Sequence, residues 1–568
     1  MPPAADRPPR AAAIAPGLVV LRRYERGWLP IDVVAGLTVG AMLIPQSMAY
    51  AELAGLPPVS GFHAVIGALV VYALVGTSRH LGVGPEPGTA ILAATGVGAI
   101  AAGDPERYVA LMALLALVVA GICMVAAAAR LGFLASLLSK PVLVGYITGV
   151  GLTLLSSQIA GFTGAQIAAG SFFPRIAELG RELGEVHGPT LALGLATLAL
   201  MEGLRRISPR VPGALIGVVA STVAVAALGL ADEGIALVGA IPGGLPAPAL
   251  PPLALADITR LLPVAAGIAL VGYTDNVLTA RSVAARHGYR IDPNQELVAL
   301  ALTNAASGLS QGFPVSSSAS RTAVPAALGS KTQLVSIVAA ACVVGTVLAF
   351  RPLLAEIPRA ALAAVIVAAG ITIIDLPGYR SLWKVSREEA CLAVVAALGV
   401  LVFDVLVGVL IAVSLSIVIA LYHVARPHDA VLGDAPGLDG WVDLDADHGA
   451  VAEPGLLVYR FDAPLYFLNI DRFAERVEQV LGENPGEEEW LVLDFEGVGA
   501  LDASALDGLV DLVARVARRD VAVVGVARAN DAVLASLRRA DVIEPKGALQ
   551  VFPTINSAVR AYRSRHAG

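Results

Sequence analysis

The stretch Gly312-Phe-Pro-Val-Ser-Ser-Ser-Ala-Ser-Arg-Thr322 lies between two long apolar segments. Its serines, its arginine and its lack of bulky apolar residues suit neither a lipid-facing helix nor a soluble surface loop. Irregular or polar backbone at membrane depth is tolerated only where protein or a water-filled cavity satisfies it. We therefore expect this stretch to open a short half-helix whose N-terminus receives an anion inside the membrane.

The composition of the whole chain agrees with a membrane location. Of 568 residues, 56% are hydrophobic and only 15% are charged, and the mean hydropathy is +0.74, outside the range of soluble globular proteins. The net charge of −7 reflects acidic residues concentrated after about residue 430, as in an appended soluble domain. The chain is predicted to be a polytopic α-helical membrane protein that binds no nucleic acid and holds no cofactor or metal.

Fourteen apolar segments are candidates for membrane crossing at about 20 residues per helix. They cover residues 31–50, 57–76, 85–102, 106–128, 141–162, 189–204, 211–230, 258–279, 293–310, 318–328, 333–350, 358–374, 388–402 and 404–424. An even number places both termini on one side. Arginines 22, 23 and 26 precede the first segment and place that side in the cytoplasm. Residues 1–29 are then a cytoplasmic tail, with an amphipathic segment at 18–21, and residues 30–425 form the transmembrane domain.

Three of these segments are irregular. The first is expected to break at Pro45-Gln46, the third starts late behind Gly84-Pro85-Glu86-Pro87-Gly88, and the tenth is short. Weak self-similarity between residues 36–46 and 267–275 indicates two seven-helix repeats, at about 30–230 and 255–425. If the repeats are inverted, two half-helices enter from opposite faces and their N-termini converge near the midplane. The three irregular points should then surround one site.

Two polar residues of the apolar segments are candidates for this site. Gln46 lies beside Pro45 and either bonds another helix or faces a cavity, and we favour the cavity. Asp275 is an intramembrane carboxylate and hence a candidate proton or cation relay. The alternative for Asp275 is an ion pair with Arg281 or Arg321.

The starts of the two half-helices supply further candidate residues, and each of these residues has two possible roles. Arg321 either helps to hold the anion or is a snorkelling helix-end residue. Ser318 and Ser320 either donate hydroxyls to an oxyanion or cap the helix. Glu86 would stabilise a helix N-terminus as a cap, yet it would repel an anion unless it is protonated or turned away, so its role stays open. No nucleophile elbow, phosphate-binding loop or dinucleotide fingerprint has the required context, and we do not expect an enzyme.

The composition changes sharply after Tyr422. Residues 426–454 are polar and rich in Gly and Asp, and we predict a linker there. Strands are predicted at 456–461, 490–495 and 521–525, and helices at 471–481 and 504–518. Strands that alternate with helices indicate a small α/β domain, at 455–565.

Four sequence motifs together resemble the sulfate permease (SulP) family of anion transporters. They are Ile44-Pro-Gln-Ser-Met-Ala-Tyr-Ala51, Gly84-Pro85, Pro141-Val-Leu-Val-Gly-Tyr146 and the opening stretch. The C-terminal domain resembles a STAS domain. The resemblance covers about residues 25 to 563, and the pattern looks closest to actinobacterial and mycobacterial sulfate permeases.

The resemblance implies a fold and an assembly. The fold is a seven-plus-seven inverted repeat, in which a core domain (helices one to four and eight to eleven) moves against a gate domain (helices five to seven and twelve to fourteen). Relatives are often homodimers, and their STAS domains lie in the cytoplasm. For this chain, the resemblance implies a multi-pass protein of the cell inner membrane and a cytoplasmic partner that binds through the STAS domain.

The resemblance also assigns roles to individual residues. The implied anion site consists of Gln46, Glu86, Pro87, Gly88, Thr89, Ala90, Ser318, Ala319, Ser320 and Arg321. Asp275 matches the position at which relatives carry an acidic residue linked to proton or sodium coupling. Ser504 matches the serine that is phosphorylated in anti-sigma-factor antagonists of the STAS fold, and the alternative is that it only caps a helix. The acidic, proline-flanked start at Pro85-Glu86-Pro87 departs from the family pattern.

From these features we predict a secondary active transporter of a small inorganic oxyanion. The expected process is sulfate uptake by proton symport through Asp275, with an elevator-like alternating-access motion. The alternatives are a sodium- or proton-coupled bicarbonate or dicarboxylate transporter, a passive anion channel, and a signalling protein whose membrane part only anchors the STAS domain. The intact half-helix motifs argue against a mere anchor.

Overall fold

The chain folds into two compact units that divide between Ser416 and Ile417. The computed structural model describes residues 15–136, 139–167, 169–208, 211–240, 245, 247–403, 405–435, 437, 440–445, 449–483, 489–519, 521–543 and 548–566. Among these residues, the membrane region is helical apart from short pairings, and the C-terminal unit combines strands with helices.

Each of the fourteen predicted apolar segments forms a helix. In chain order the helices are α1 (Pro16–Arg22), α2 (Leu29–Leu53), α3 (Val59–Val75), α4 (Pro87–Ala101), α5 (Pro105–Ala128), α6 (Lys140–Ser157), α7 (Ile159–Thr163), α8 (Phe172–Arg181), α9 (Gly188–Ile207), α10 (Gly213–Leu228), α11 (Leu255–Arg286), α12 (Pro293–Leu309), α13 (Ala319–Leu328), α14 (Leu334–Ala349), α15 (Arg351–Ala355), α16 (Arg359–Ile373), α17 (Leu376–Val385), α18 (Arg387–Val402) and α19 (Val405–Ala425). The predicted segments correspond to α2–α6, α9–α14, α16, α18 and α19.

Several of these helices could cross a membrane. By length and composition, six within the described residues are long and apolar enough: Arg26–Leu53, Pro105–Ala128, Lys140–Thr163, Leu255–Arg286, Arg359–Val385 and Val407–Ala425. Other apolar helices are shorter, among them α3, α4, α10 and α14. The helices are therefore present where the sequence placed them, and a total of fourteen crossings stays a prediction.

Helix α2 runs without interruption through Pro45, so the predicted break at Pro45-Gln46 is wrong. Proline removes one helical hydrogen bond, but α2 packs closely against α14 before Pro45 and against α3 after it, where a Cβ on Gly61 would lie 1.9 Å from Ser47 O. A Cβ placed on Gly36 would lie 2.5 Å from Val338 Cβ, and one on Gly40 would lie 2.7 Å from Cys342 Cβ. The two glycines therefore allow the backbones of α2 and α14 to approach closely.

A two-residue ladder joins the starts of the two half-helices. Strand β1 (Val83–Gly84) pairs antiparallel with β2 (Ser316–Ser317), with Val83 opposite Ser317. Helix α4 follows β1 and α13 follows β2, so the chain enters the two helices in opposite directions. Beside the ladder, Ser318 N donates to Gly82 O at 3.0 Å. The two N-termini predicted to converge are therefore held side by side.

Part of the predicted N-terminal tail is a helix packed on the membrane region. Residues 18–21 lie within α1, and a Cβ on Gly17 would lie only 2.3 Å from the Ala73 carbonyl oxygen of α3. Residues 1–14 of the predicted tail lie outside the described residues.

The C-terminal unit is built on a sheet with helices on both faces. Its elements are β3 (Asp429–Asp434), β4 (Trp441–Asp443), β5 (Leu456–Phe461), α20 (Ile470–Glu483), β6 (Trp490–Asp494), α21 (Ala503–Val516), β7 (Val523–Ala527), α22 (Asp531–Arg539), β8 (Leu549–Phe552) and α23 (Ile555–His566). The strand order is β4-β3-β5-β6-β7-β8, and β5 to β8 are parallel. Side chains alternate along β5: Leu457 packs with α20 to α22, whereas Leu456 packs with α23.

The range 426–454 was predicted to be a polar linker, but it contains β3 and β4. Strand β3 pairs antiparallel with β5, with Val431 opposite Tyr459. Ala430 and Leu432 stand on either side of the less buried Val431 and are 6% and 1% exposed. These apolar residues are two positions apart and therefore lie on one face of the strand, which is buried. The range 426–454 is polar in overall composition, so the sequence did not indicate this strand.

Candidate functional site

A cavity of about 670 Å³ lies at the two half-helix starts. Eight predicted site residues line it: Gln46, Glu86, Pro87, Thr89, Asp275, Ser318, Ala319 and Ser320. Three others, Gly88, Ala90 and Arg321, lie outside this wall. The antiparallel ladder thus brings residues from both predicted repeats to one cavity.

The opposite wall of the cavity comes from a second group of helices. It includes Tyr146 on α6, Met201 on α9, Ala214 on α10, Val365 on α16 and Val409 on α19. The cavity therefore separates α2, α4, α11 and α13, which carry the predicted site residues, from the helices assigned to the gate group by resemblance.

Glu86 caps helix α4 with its own carboxylate. Its Oε2 accepts a hydrogen bond from Thr89 N at 2.9 Å, and its main-chain oxygen accepts one from Ala90 N at 3.0 Å. Capping satisfies N–H groups that a helix cannot bond internally. Two of the first-turn N–H groups of α4 are therefore already engaged.

The start of α13 is different. Ser318 occupies the N-cap position without a side-chain bond to the helix backbone, and its Oγ lies 3.0 Å from Ser320 Oγ. The reading of Ser318 as a cap is therefore wrong. Both hydroxyls face the cavity, where they can donate to an oxyanion.

Arg321 lies in the first turn of α13 against the loop that leads into α4, and its relative exposure is 1%. The reading as a snorkelling helix-end residue is therefore wrong. Its Nε and Nη2 have no hydrogen-bond partner among the described residues, and it interacts electrostatically with Tyr50, Glu86 and Asp275. A buried guanidinium is costly without compensation, so this charge favours anionic groups in the adjoining cavity.

Asp275 lines the cavity and is held by the ladder. Ser317 Oγ donates to its Oδ2 at 3.0 Å. In the part of the chain that the structure describes, neither Arg281 nor Arg321 forms an ion pair with it within 4.0 Å, although Arg321 interacts with Asp275 electrostatically. The carboxylate is therefore available for a proton or a cation.

Gln46 lies on the cavity wall, and its Oε1 finds no partner within the described ranges. This position agrees with the cavity reading of the sequence. Its neighbour Tyr50, one turn further along α2, also lines the cavity. Sequence reasoning missed Tyr50, although its spacing of four residues from Gln46 places both on one helix face.

Two charged residues of the cavity wall were also missed. Glu202 and Arg205 on α9 line the cavity and form an ion pair of 2.8 Å. No separate signal in the sequence marks these two residues, because charged residues at the end of an apolar segment are expected to flank the membrane.

Glu296, at the start of α12, is a fully buried carboxylate that the sequence reading did not single out. It accepts hydrogen bonds from Tyr72 Oη at 2.9 Å, from Thr77 N at 2.9 Å and from Asn276 Nδ2 at 3.3 Å. Thr77 Oγ1 donates as well, at 2.5 Å. Since Asn276 follows Asp275 directly, this network fixes the α11 segment that presents Asp275 to the cavity.

Ser504 is the second residue of α21 and is exposed. The N-cap is Asp502, whose Oδ1 accepts from Ala505 N at 2.8 Å and whose Oδ2 accepts from Phe467 N at 2.9 Å. The reading of Ser504 as a cap is therefore wrong, and phosphorylation of Ser504 stays a prediction.

Comparison with known proteins agrees with the motifs. Residues 29–396 match the sulfate permease family and residues 449–558 match the STAS domain. A probable sulfate transporter of Mycobacterium tuberculosis (strain H37Rv) is 46% identical over 555 residues, which are 98% of this chain and 99% of that protein. Probable sulfate transporter 4.2 of Arabidopsis thaliana is 30% identical, over 96% of this chain and 83% of that protein.

One solved structure shows the same fold over nearly the whole chain. It is murine solute carrier 26 family member A9, an anion transporter described in the inward-facing state. The two superpose with a TM-score of 0.89 at 24% identity, covering 99% of this chain and 96% of that one. The matched relatives are named as transporters and not as enzymes.

Proposed function

Because the chain belongs to the sulfate permease family and is a membrane anion transporter with a C-terminal STAS domain, we propose that it imports sulfate by proton symport. The observation that carries this proposal is the antiparallel pairing of Val83–Gly84 with Ser316–Ser317. It brings two half-helix N-termini, a carboxylate and hydroxyl donors to one cavity.

Sulfate binding is supported by the donors around the cavity. Helix α13 presents an N-terminus that Ser318 leaves uncapped, and such an end carries a partial positive charge. Ser318 and Ser320 add hydroxyl donors, and Arg321 adds a buried charge behind them. The names of the bacterial and plant relatives favour sulfate among the oxyanions that such donors would accept.

Proton coupling is supported by the charges of the cavity wall. Within the described residues, Glu86, Asp275 and Glu202 contribute carboxylates to the wall, whereas Arg205 contributes a guanidinium. A dianion that enters beside ionised carboxylates is strongly repelled, so its entry favours proton uptake. Asp275 is our choice for the coupled proton because no described residue forms a direct ion pair with it.

An elevator-like motion is supported by the position of the cavity between two groups of helices. In this proposal, α2–α5 and α11–α14 carry the substrate past α6, α9, α10, α16, α18 and α19, as a core moves against a gate. Glu202 and Arg205 lie near the end of α9 that the positive-inside rule assigns to the cytoplasm. We therefore assign the cavity to an inward-facing state.

The same proposal places the protein in the cell inner membrane with both termini in the cytoplasm, as a homodimer whose STAS domain contacts a cytoplasmic partner. Arginines 22, 23 and 26 before the first long helix support this orientation.

Uptake by purified protein in liposomes tests the function. Labelled sulfate, bicarbonate and fumarate are compared, each with a pH gradient, with a sodium gradient and with neither. We expect concentrative uptake of sulfate when the outside is acidic. Bicarbonate or fumarate uptake driven by sodium would support the alternative carriers, and sulfate equilibration that ignores both gradients would support a passive channel.

A further inference from the structure

The two half-helix starts are related by the inverted repeat, but they are not equivalent. At α4, the Glu86 carboxylate accepts the N–H of Thr89 at 2.9 Å. At α13, Ser318 stands in the corresponding position and makes no side-chain bond to the helix. One start is therefore filled by an anionic group of the chain itself, whereas the other is open to the cavity.

An ordinary helix cap is the simplest reading of Glu86, and two other helices begin in a similar way. Asp104 and Asp292 each precede a proline and accept backbone N–H groups of α5 and α12. Both of these aspartates are exposed. Glu86 is different because it lines the cavity with Asp275 and interacts electrostatically with Arg321, whose Nε and Nη2 lack partners among the described residues.

The buried guanidinium of Arg321 is an independent sign that an anion belongs at this place. It is 1% exposed, and its Nε and Nη2 lack partners among the described residues. Nη2 would lie 3.6 Å from a Cβ placed on Gly84, two residues before Glu86. The charge therefore lies beside the loop that leads into α4.

Resting on the function proposed above, we propose that Glu86 is an internal anion that competes with the substrate for the N-terminus of α4. The ionised carboxylate fills this N-terminus and repels a second anion. Protonation removes its charge and weakens its bond to Thr89 N, so the substrate can take its place. Anion binding is thus linked to proton uptake at Glu86, separately from Asp275.

Several titratable and charged groups lie around Glu86, and the cavity wall also holds Glu202 and Arg205, which form an ion pair with each other. Tyr50 lies on α2, Tyr146 on α6, Asp275 on α11 and Arg321 on α13, and all interact with Glu86 electrostatically or share its cavity. Asp275 is the carboxylate that interacts directly with Glu86, so the test must separate its titration from that of Glu86.

The KM for labelled sulfate is measured in liposomes at about pH 6 and about pH 8. Sulfate remains a dianion at both. For the wild type, KM should rise by about tenfold between these values as Glu86 ionises. Glu86→Gln keeps the shape and an acceptor for Thr89 N but has no charge, so its KM should be lower than that of the wild type at the higher pH and should change less between the two pH values. Glu86→Asp keeps the charge and should retain the pH dependence.

Two further variants define what each result means. Asp104→Asn changes an exposed acidic cap of the same design and should behave like the wild type. Asp275→Asn should keep the pH dependence of KM while it loses accumulation. Equal KM values for Glu86→Gln and the wild type at both pH values, or a raised KM in Glu86→Gln, would overturn the inference.

The measurements distinguish a failure of the proposal for Glu86 from a failure of the proposed transport function. If the wild type transports none of the three anions, the proposed function fails. If it accumulates sulfate along the pH gradient with a KM that does not change with pH, the role of Glu86 fails and the proposed transport stands. This second result needs no variant, so it holds even if Glu86→Gln does not fold.

Discussion

Val83 lies opposite Ser317 in an antiparallel ladder, and each residue stands just before a half-helix that begins inside the protein. This pairing relates the two repeats at a single point. It also positions Asp275, because Ser317 Oγ donates to its carboxylate at 3.0 Å. The ladder therefore fixes the distance between Asp275, the candidate for proton coupling, and the N-termini of α4 and α13.

Arg321→Ala should weaken sulfate binding by about tenfold or more, because it removes a buried charge beside the anion. The protein should stay folded, since no described residue bonds Nε or Nη2 of Arg321. Equilibrium binding of labelled sulfate to the purified protein measures the effect. Arg281→Ala, an exposed position on α11, is the control. An unchanged affinity in Arg321→Ala would mean that the helix N-termini suffice.

Glu296→Ala should destabilise the membrane region by about 3 kcal/mol, because buried donors of Tyr72, Thr77 and Asn276 lose their acceptor. Thermal unfolding of the purified protein measures this. The control is Glu106→Ala, an exposed residue in the first turn of α5, which should stay within about 0.5 kcal/mol of the wild type. A similar loss in both variants would show that the Glu296 network does not support the fold.

Asp502→Ala should destabilise the C-terminal unit by about 1 to 2 kcal/mol, since this side chain caps α21 and also accepts from Phe467 N. Ser504→Ala should change stability by less than about 0.5 kcal/mol, because Ser504 is exposed and caps nothing. Chemical denaturation monitored by circular dichroism measures the stability of both variants. Equal losses would contradict the assignment of the cap to Asp502.

The sequence predicted the fold well where single residues carry strong constraints. Long apolar runs have one stable form in a bilayer, a helix, and each predicted run is one. Gly84-Pro85 and the serine cluster marked the starts of the half-helices. Such sequences indicate irregular backbone, and irregular backbone cannot lie in contact with lipid. Pro45 misled the prediction, since close packing at Gly36 and Gly40 keeps α2 continuous.

The site was predicted on one side only. Gln46, Glu86, Asp275 and Ser318 were found because a polar residue within an apolar segment needs an explanation. Tyr146 and Arg205, on the opposite wall, were not singled out as site residues. A tyrosine in a helix and an arginine at a helix end are ordinary features of membrane proteins, and only the tertiary packing shows that they face the cavity.

The burial of Arg321 could not be foreseen either. The sequence places it in the first turn of a half-helix, where an anion contact and an exposed helix end are equally compatible with the residue type. The direction of its side chain depends on how α4 and α13 pack across the ladder. That packing is long-range, because Gly82 and Ser318 are far apart in the chain.

The most direct test of the account is accumulation of labelled sulfate in liposomes with an acidic outside, compared between the wild type and Asp275→Asn. We predict that the wild type concentrates sulfate above equilibrium and that Asp275→Asn only equilibrates it, because the variant cannot carry the coupled proton. Asp232→Asn, an exposed carboxylate, should accumulate like the wild type. Accumulation by Asp275→Asn that still follows the pH gradient would contradict the account.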